Sequence, residues 1–322
     1  MTRFDGRIEP IAVATRSGIE ESVHHGAGVA IDVDGAARAS IGDPDLVVYP
    51  RSCLKPMQVH AMVGAGLELD ERQLAVACAS HDGSPDHLDV VRSILERYDL
   101  AESDLQNTPA RPHGVVARTA ARIASVEPSA LQQNCSGKHA AMLATCRVNG
   151  WSIDDYLDQH HPVQAAITNG VEALGAVVHH VGIDGCGAPT QALSLRELAA
   201  AFARLAAPGS AVARAMTTHP ELVGGPTRDV TLWMRAVPTL VAKEGAAGVM
   251  AAGLADGRAV AFKVSDGSDT CRQAVVAEAL RAAGVDVDTT AASTAEAVAV
   301  PVLGHGRPVG RFDPMEWTRC SS

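Results

Sequence analysis

The segment "RSCLKPMQ" contains a serine, Ser52, and a lysine, Lys55, three residues apart. Their side chains, a hydroxyl and an amine, are chemically complementary. Pro56 lacks an amide proton and is tolerated only in the first turn of a helix, so a helix must begin close to Ser52 and Lys55. Residues three apart share one helical face, with their Cβ atoms about 5–6 Å apart. The lysine amine can therefore reach the serine hydroxyl.

Ser52 and Lys55 could act together as a nucleophile and the base that activates it. A serine attacks poorly until a neighbouring group takes its proton, and a lysine can take it only after burial or a second cation lowers the lysine pKa. Arg51 is a cation at the required place in the sequence. From the spacing alone, an N-cap serine beside an exposed lysine is the simpler alternative, because Ser-x-x-Lys is a common tetrapeptide.

A second hydroxyl stands where an apolar run ends, in "LAVACASHDGS". Ser80, His81 and Asp82 follow that run directly, and polar side chains in such positions often line a cleft. Ser80 is therefore a candidate for a second hydroxyl in the same site. Alternatively, these residues only prepare a helix that Ser84 would cap, and the sequence leaves both interpretations open.

A second lysine interrupts an apolar, strand-like run in "VAFKVSDGSDT". Lys263 shares one face of the expected strand with Ala261 and Ser265, because alternate residues of a strand point the same way. Such a lysine either faces solvent or is held in a site where burial lowers its pKa. The solvent-facing side chain is the simpler alternative.

Two cysteines in glycine-containing turns, in "QNCSGKHAAM" and "GIDGCGAPT", are candidate metal ligands. Spacing alone nominates Cys135, His139 and Cys186 as three soft ligands for zinc, with one coordination position left open. The paired Cys-x-x-Cys motif of structural zinc sites is absent from these segments. Buried structural thiols are therefore an equally good interpretation.

Composition limits the classes of partner. The chain has 322 residues, 47% of them hydrophobic, and a formal net charge of −10, which repels nucleic acid and anionic membrane surfaces. The sequence shows neither an export signal nor an apolar run of the roughly 20 residues that a membrane span needs. We therefore expect a cytoplasmic protein with reduced thiols, and neither nucleic acid nor a membrane as partner.

The order of elements predicts an α+β fold. Strand-like segments with turns at Asp34-Gly35 and Asp256-Gly257 stand near the two ends of the chain, and helix signals dominate from Cys53 to about Gly225. Ser84 before Pro85 predicts one helix start, Ser194 with Glu197 predicts another, and a further helix is expected over about 269–283. These patterns indicate one antiparallel sheet built from both termini and covered by helices.

Taken together, the segments "RSCLKP", "CASHDG", "NCSGKH", "DGCGAPT", "HPELVGG" and "KVSDGSDTCRQ" resemble the class 3, Rhizobium-type inducible L-asparaginases. The resemblance extends from about Ser17 to Gly310. It implies a fold similar to that of serine β-lactamases and glutaminases. It also implies a single domain over 1–322, with a β lobe at about 1–51 and 238–322 and a helical region at about 52–237.

The resemblance implies hydrolysis of the side-chain amide of L-asparagine by two Ser-Lys pairs, Ser52 with Lys55 and Ser80 with Lys263. It further implies a zinc ion held by Cys135, Cys186 and Lys138. In that ligand set Lys138 takes the place of His139, the third ligand that spacing alone had favoured. We expect His139 beside the substrate instead. By charge alone, Arg51 suits the substrate carboxylate and Asp184 suits its ammonium group. Members of the family tend to form homodimers, so a homodimer is expected.

Three alternatives remain at this stage. One is a serine acyl hydrolase for another amide, such as glutamine or a β-lactam. Another is a metalloamidase whose catalytic zinc is held by Cys135, His139 and Cys186. The third is a zinc-stabilised binding protein that binds asparagine without consuming it.

Overall fold

The computed structural model describes residues 4–287, 297, 298 and 300–320, which form two compact units. We call Met1–Cys53, Leu193–Pro208 and Leu232–Ser322 the sheet unit, and Leu54–Ala192 and Gly209–Thr231 the helical unit. The division brings both ends of the chain into one unit.

The strands of the described residues are β1 (Glu9–Arg16), β2 (Ile19–Ile31), β3 (Ala37–Ile41), β4 (Val47–Val48), β5 (His180–Ile183), β6 (Pro189–Ser194), β7 (Val241–Gly245), β8 (Val249–Gly253), β9 (Ala259–Val264), β10 (Pro301–Gly304), β11 (Arg307–Pro314) and β12 (Thr318–Arg319). The helices are α1 (Lys55–Gly64), α2 (Glu71–Ala77), α3 (Pro85–Arg97), α4 (Val115–Ile123), α5 (Ser136–Asn149), α6 (Pro162–Ala173), α7 (Leu195–Leu205), α8 (Ala211–Thr218), α9 (Pro220–Val223), α10 (Asp229–Ala236) and α11 (Arg272–Ala282). Two short 3₁₀ turns cover Arg51–Leu54 and Glu102–Asp104.

The sheet unit is built around an antiparallel sheet whose strands run in the order β10-β11-β1-β2-β9-β8-β7, with β3 pairing to β2 and β12 to β3. The N-terminal strand β2 pairs with β9 in the register Ala27↔Lys263, and β1 pairs with β11 in the register Ala12↔Pro314. The predicted α+β fold with one antiparallel sheet made from both termini is confirmed.

Helices α7 and α11 pack on this sheet, α7 against β8 and β9, and α11 against β2, β9 and β11. Gly253 of β8 allows a close approach of α7, since a Cβ atom there would collide with the Phe202 carbonyl of that helix. Every residue of β7, β8 and β9 is buried. Strand β9, which carries Lys263, is therefore buried along its whole length.

In the helical unit, α5 is the central helix. It packs against α1, α2, α3 and α6, and each of its side chains from Ser136 to Cys146 is buried. None of the helices in the described part of the chain is long and apolar enough to cross a membrane.

Local signals located several elements correctly. The Ser84 hydroxyl accepts a hydrogen bond from the His87 amide and caps α3, which begins at Pro85. Ser194 and Glu197 form the predicted capping box of α7. The turns at Gly35 and Gly257 have φ angles of 83° and 97°, which glycine adopts without strain.

Two short strands inside the predicted helical region were missed. Strand β5 pairs with Pro189–Ala192 of β6 in the helical unit, whereas β4 pairs with Leu193 and Ser194 in the sheet unit. The segments "HVGI" and "PTQALS" are too short to show a clear alternation of apolar and polar residues, and their pairing joins residues distant in sequence.

Candidate active site

Lys55 is the first residue of α1 and is only 1% exposed, so the alternative of an exposed lysine is wrong. Its ammonium group donates hydrogen bonds to the Ala79 carbonyl at 2.6 Å and to the Ser80 hydroxyl at 3.2 Å. Pro56 occupies the first turn, as predicted. The cap residue of α1 is Leu54 and not a serine, because Ser52 lies two residues earlier, in the 3₁₀ segment Arg51–Leu54.

Ser80 stands on a short extended segment after α2, and this segment is held by backbone hydrogen bonds at each of three successive residues. The Ser80 amide donates to the Val223 carbonyl at 3.0 Å, the next amide to the Asn134 carbonyl at 3.2 Å, and the Asp82 amide to the Gly224 carbonyl at 2.8 Å. The Ser80 side chain, 4% exposed, is therefore presented to Lys55 by a fixed backbone.

Three candidate residues lie at the start of α5. Cys135 is the cap residue just before the helix, and Lys138 and His139 lie in its first turn. All three are buried. Gly137 permits this placement, because a Cβ atom there would collide with the carbonyl oxygen of Val76 in α2. The close approach of helices α2 and α5 thus explains why a glycine stands in "NCSGKH".

Two thiols and an amine meet beside that turn. The Lys138 ammonium donates to the Cys186 sulfur at 3.3 Å. A hydrogen bond from the Cys186 thiol, assisted by the cations Lys55 and Lys138, holds the pKa of Cys135 well below its usual range. Although burial acts to lower it, the pKa of Lys138 is raised by Cys186, Cys135 and Asp184. The cluster therefore places two thiol groups beside one buried ammonium group.

His139 faces a different partner. Its Nδ1 lies 2.8 Å from the Tyr156 hydroxyl, and burial, together with the cations Lys138 and Lys55, holds its pKa well below the usual histidine range. Among the residues that the structure describes, no three His, Cys, Asp or Glu side chains converge as metal ligands. The set of Cys135, His139 and Cys186, which spacing favoured, is therefore not assembled.

Tyr156 was not predicted from the sequence. It is fully buried, and its hydroxyl also accepts a hydrogen bond from the Gln106 amide at 3.1 Å. An isolated tyrosine in "DDYLDQ" carries no spacing signal that would place it against His139, so only the tertiary structure reveals the contact.

In the sheet unit, Lys263 is 9% exposed, so the solvent-facing alternative is wrong. Its ammonium group donates to the carbonyls of Ala247 and Val264. Burial lowers the pKa of Lys263, the carboxylates of Asp266 and Asp269 oppose that shift, and the Arg51 guanidinium reinforces it.

Arg51 is electrostatically close to Lys263, and its backbone has a φ of 55°, the left-handed region that is uncommon outside glycine. Ser52 follows it, half-buried. A strained residue beside a candidate nucleophile is typical of functional turns.

The predicted residues thus fall into two groups. The helical unit brings together Lys55, Ser80, Cys135, Lys138, His139, Asp184 and Cys186. The sheet unit contains Arg51, Ser52 and Lys263, of which Arg51 and Lys263 are electrostatically close. The hydrogen bond of Ser80 with Lys55 is a pairing that the sequence did not suggest.

Comparisons with known proteins give the family. A family model described as L-asparaginase II matches residues 12–314. No curated protein matches the sequence. A solved structure of a β-lactamase from Mycobacterium bovis is similar, with 15% identity and a TM-score of 0.37, over 76% of this chain and 88% of that chain. Since the family model covers nearly the whole sequence, the chain belongs to the L-asparaginase II family, a family of amidohydrolases, as its motifs predicted.

Proposed function

We propose that the protein hydrolyses the side-chain amide of L-asparagine to L-aspartate and ammonia through an acyl-enzyme. Membership of the L-asparaginase II family supports the reaction class. The observation that carries the proposal within the molecule is the buried Lys55 side chain, whose ammonium group donates a hydrogen bond to the Ser80 hydroxyl. A buried amine in contact with a hydroxyl is the arrangement needed to move a proton from or to a serine.

In the proposed reaction Lys55 first loses a proton to become a neutral amine, and the Ser52 oxygen then attacks the amide carbon while Lys55 takes the serine proton. The C–N bond then breaks, and the amide nitrogen takes up one proton and leaves as ammonia. Water hydrolyses the resulting ester of Ser52, which releases aspartate and restores the Ser52 hydroxyl. The hydrogen bond of Lys55 to Ser80 supports a role for Ser80 in passing that proton on. Lys263, whose pKa is lowered by burial, would serve as a second proton acceptor.

Three side chains are proposed to recognise the amino acid part of the substrate. Arg51 would bind the α-carboxylate, and the half-buried Asp184 would bind the ammonium group. His139, neutral because burial lowers its pKa, would border the amide without adding a charge.

Zinc is proposed as a bound cofactor, and the donor set fits it. Cys135, Cys186 and Lys138 supply two sulfurs and one nitrogen that already lie within hydrogen-bond reach. Thiolate and amine donors suit zinc, provided that Lys138 gives up its proton. When bound, the ion would neutralise the thiolates and fix the two loops that carry them. A homodimer remains a prediction from the resemblance, and a cytoplasmic location remains a prediction from the sequence.

Ammonia release from L-asparagine tests the function directly. We expect saturable turnover of asparagine by the purified protein, and a much lower kcat/KM on L-glutamine, because one extra methylene displaces the amide from the nucleophile. Equal rates on the two amides would contradict the asparaginase assignment, and a β-lactam chromogen serves as a third substrate. Binding of asparagine without ammonia release would instead identify a binding protein.

The pH dependence of kcat/KM should respond to Asp266. If Lys263 acts as a neutral base, the rate rises with pH as its ammonium loses a proton. Asp266 raises the pKa of Lys263, so Asp266→Asn should move the acidic limb of the profile to lower pH. Asp256→Asn, which breaks an ion pair with Arg258 in the same unit, is the matched control and should leave the limb in place. A shift to higher pH after Asp266→Asn would rule out Lys263 as that base.

A further inference from the structure

His81 is a fully buried imidazole that the proposed chemistry does not use. It follows Ser80 directly, and its Nε2 lies 2.8 Å from the hydroxyl of Ser136, which is also fully buried. Its Nδ1 makes no hydrogen bond among the described residues. The contact with Ser136 is thus the one hydrogen bond found for this ring in the part of the chain that the structure describes.

The ring has little freedom to rotate away from Ser136. It stacks on the His87 ring, with centroids 5.3 Å apart and an interplanar angle of 19°. His87 is itself held, because Nδ1 lies 2.7 Å from the Ser84 hydroxyl and Nε2 lies 3.1 Å from the Glu221 carbonyl. Burial, together with the nearby His87, Lys55 and His113, keeps the pKa of His81 well below its usual range. His81 is therefore neutral, and either tautomer can share a proton with a hydroxyl.

The bond joins two segments that carry different parts of the candidate site. On one side is the segment of Ser80, whose hydroxyl accepts from Lys55. On the other side, Ser136 is the first residue of α5, and Lys138 lies in the same turn. In sequence the two segments are 55 residues apart, so their relative placement depends on contacts such as this one.

We propose that His81 is a positioning residue, whose hydrogen bond to Ser136 holds the Ser80 hydroxyl at a fixed distance from the first turn of α5. Ser80 then meets Lys55 in one geometry, and the cluster around Lys138 keeps its place relative to that pair. The catalytic consequence rests on the proposed function, whereas the structural link itself does not.

Two substitutions of His81 distinguish the effect of its hydrogen bond from the effect of its side-chain volume. Glutamine carries both a donor and an acceptor that can reach the Ser136 hydroxyl, whereas leucine fills a similar volume and leaves the hydroxyl without a partner. For His81→Leu we expect kcat on asparagine to fall by roughly 10- to 100-fold with KM changed less than about twofold, since a small misplacement of a reacting group has effects of this size. His81→Gln should recover most of that loss.

A double-mutant cycle tests whether the effect passes through Ser136. If the bond is the cause, Ser136→Ala should reproduce the loss seen in His81→Leu, and the double variant should be no slower than the slower single variant. Thr145→Val is the matched control, because it removes another buried hydroxyl of α5, one that donates to the Ala141 carbonyl. It should retain wild-type kcat. Additive losses, or wild-type kcat in both His81→Leu and Ser136→Ala, would overturn the proposal.

Hydrogen exchange provides a reading that does not depend on turnover. In Ser136→Ala, and in a folded His81→Leu variant, the backbone amides of 80–82 and of 136–140 should exchange faster together, while those of the C-terminal half of α3, away from the His81–His87 stack, keep their protection. Faster exchange at only one of the two segments would contradict the link. If the wild-type protein releases no ammonia, the proposed function fails, and the exchange data alone decide whether His81 joins the segments.

Discussion

Replacement of Ser52 by alanine is expected to lower kcat for ammonia release by at least about 10³-fold, because removal of a nucleophile leaves only direct attack by water. The fold should survive, since the turn is anchored by the Cys53 thiol, which donates to the Lys243 carbonyl at 2.9 Å. The measurement is steady-state ammonia release, with the thermal unfolding midpoint as a check on folding. Ser103→Ala, at an exposed serine in a 3₁₀ turn, is the matched control and should retain full activity.

The same assay on Ser80→Ala tells which hydroxyl attacks. Lys55 donates to Ser80 at 3.2 Å, so a loss of activity is expected there too, but a smaller one if Ser80 only passes protons. A burst of ammonia equal to one per chain should persist in Ser80→Ala and disappear in Ser52→Ala. The reverse result would assign the nucleophile to Ser80, and normal turnover by Ser52→Ala in the presence of zinc would favour a metalloamidase.

Replacement of Cys186 by alanine is the second large effect, and it concerns metal content. Loss of one thiolate ligand should weaken zinc binding by more than about 100-fold, since even residues behind the ligands contribute 10- to 100-fold. We expect about one zinc per chain in the wild-type protein after dialysis, and close to none in the variant, when the metal is quantified by mass spectrometry.

Cys146→Ala is the matched control for this experiment, because Cys146 is also a fully buried thiol, in the same helix α5 as Lys138. It should retain its zinc. If Cys186→Ala binds as much metal as Cys146→Ala, or if the wild-type protein binds none, the proposed zinc site is refuted. Loss of the Lys138 hydrogen bond to Cys186 should also lower the unfolding midpoint of Cys186→Ala.

Local patterns in the chain were enough to predict much of the fold. Ser84 before Pro85, and Ser194 three residues before Glu197, announce helix starts because capping involves only residues within one turn. The turns at Gly35 and Gly257 are local in the same sense. Strand pairing between the two ends of the chain was predicted from the order of the segments. The short strands β5 and β6 were not predicted, because they show no clear alternation of apolar and polar residues.

For the candidate site, the sequence determined which residues are available. The motifs around Ser52, Ser80, Cys135 and Lys263 identified the family, and the family model over residues 12–314 agrees. The spacing of Ser52 and Lys55, however, favoured an exposed lysine. Burial decided otherwise, because the exposure of a side chain depends on what packs above it and not on its neighbours in sequence.

Only the tertiary structure decided which partner each polar group has. Lys55 meets Ser80, His139 meets Tyr156, and His81 meets Ser136, and each of these contacts joins residues between 17 and 55 positions apart. A buried polar group must find a hydrogen-bond partner, but the composition of a motif does not say where in the chain that partner lies. The sequence alone therefore determined the family and the inventory of reactive groups, and the packing of helices around α5 determined how those groups are paired.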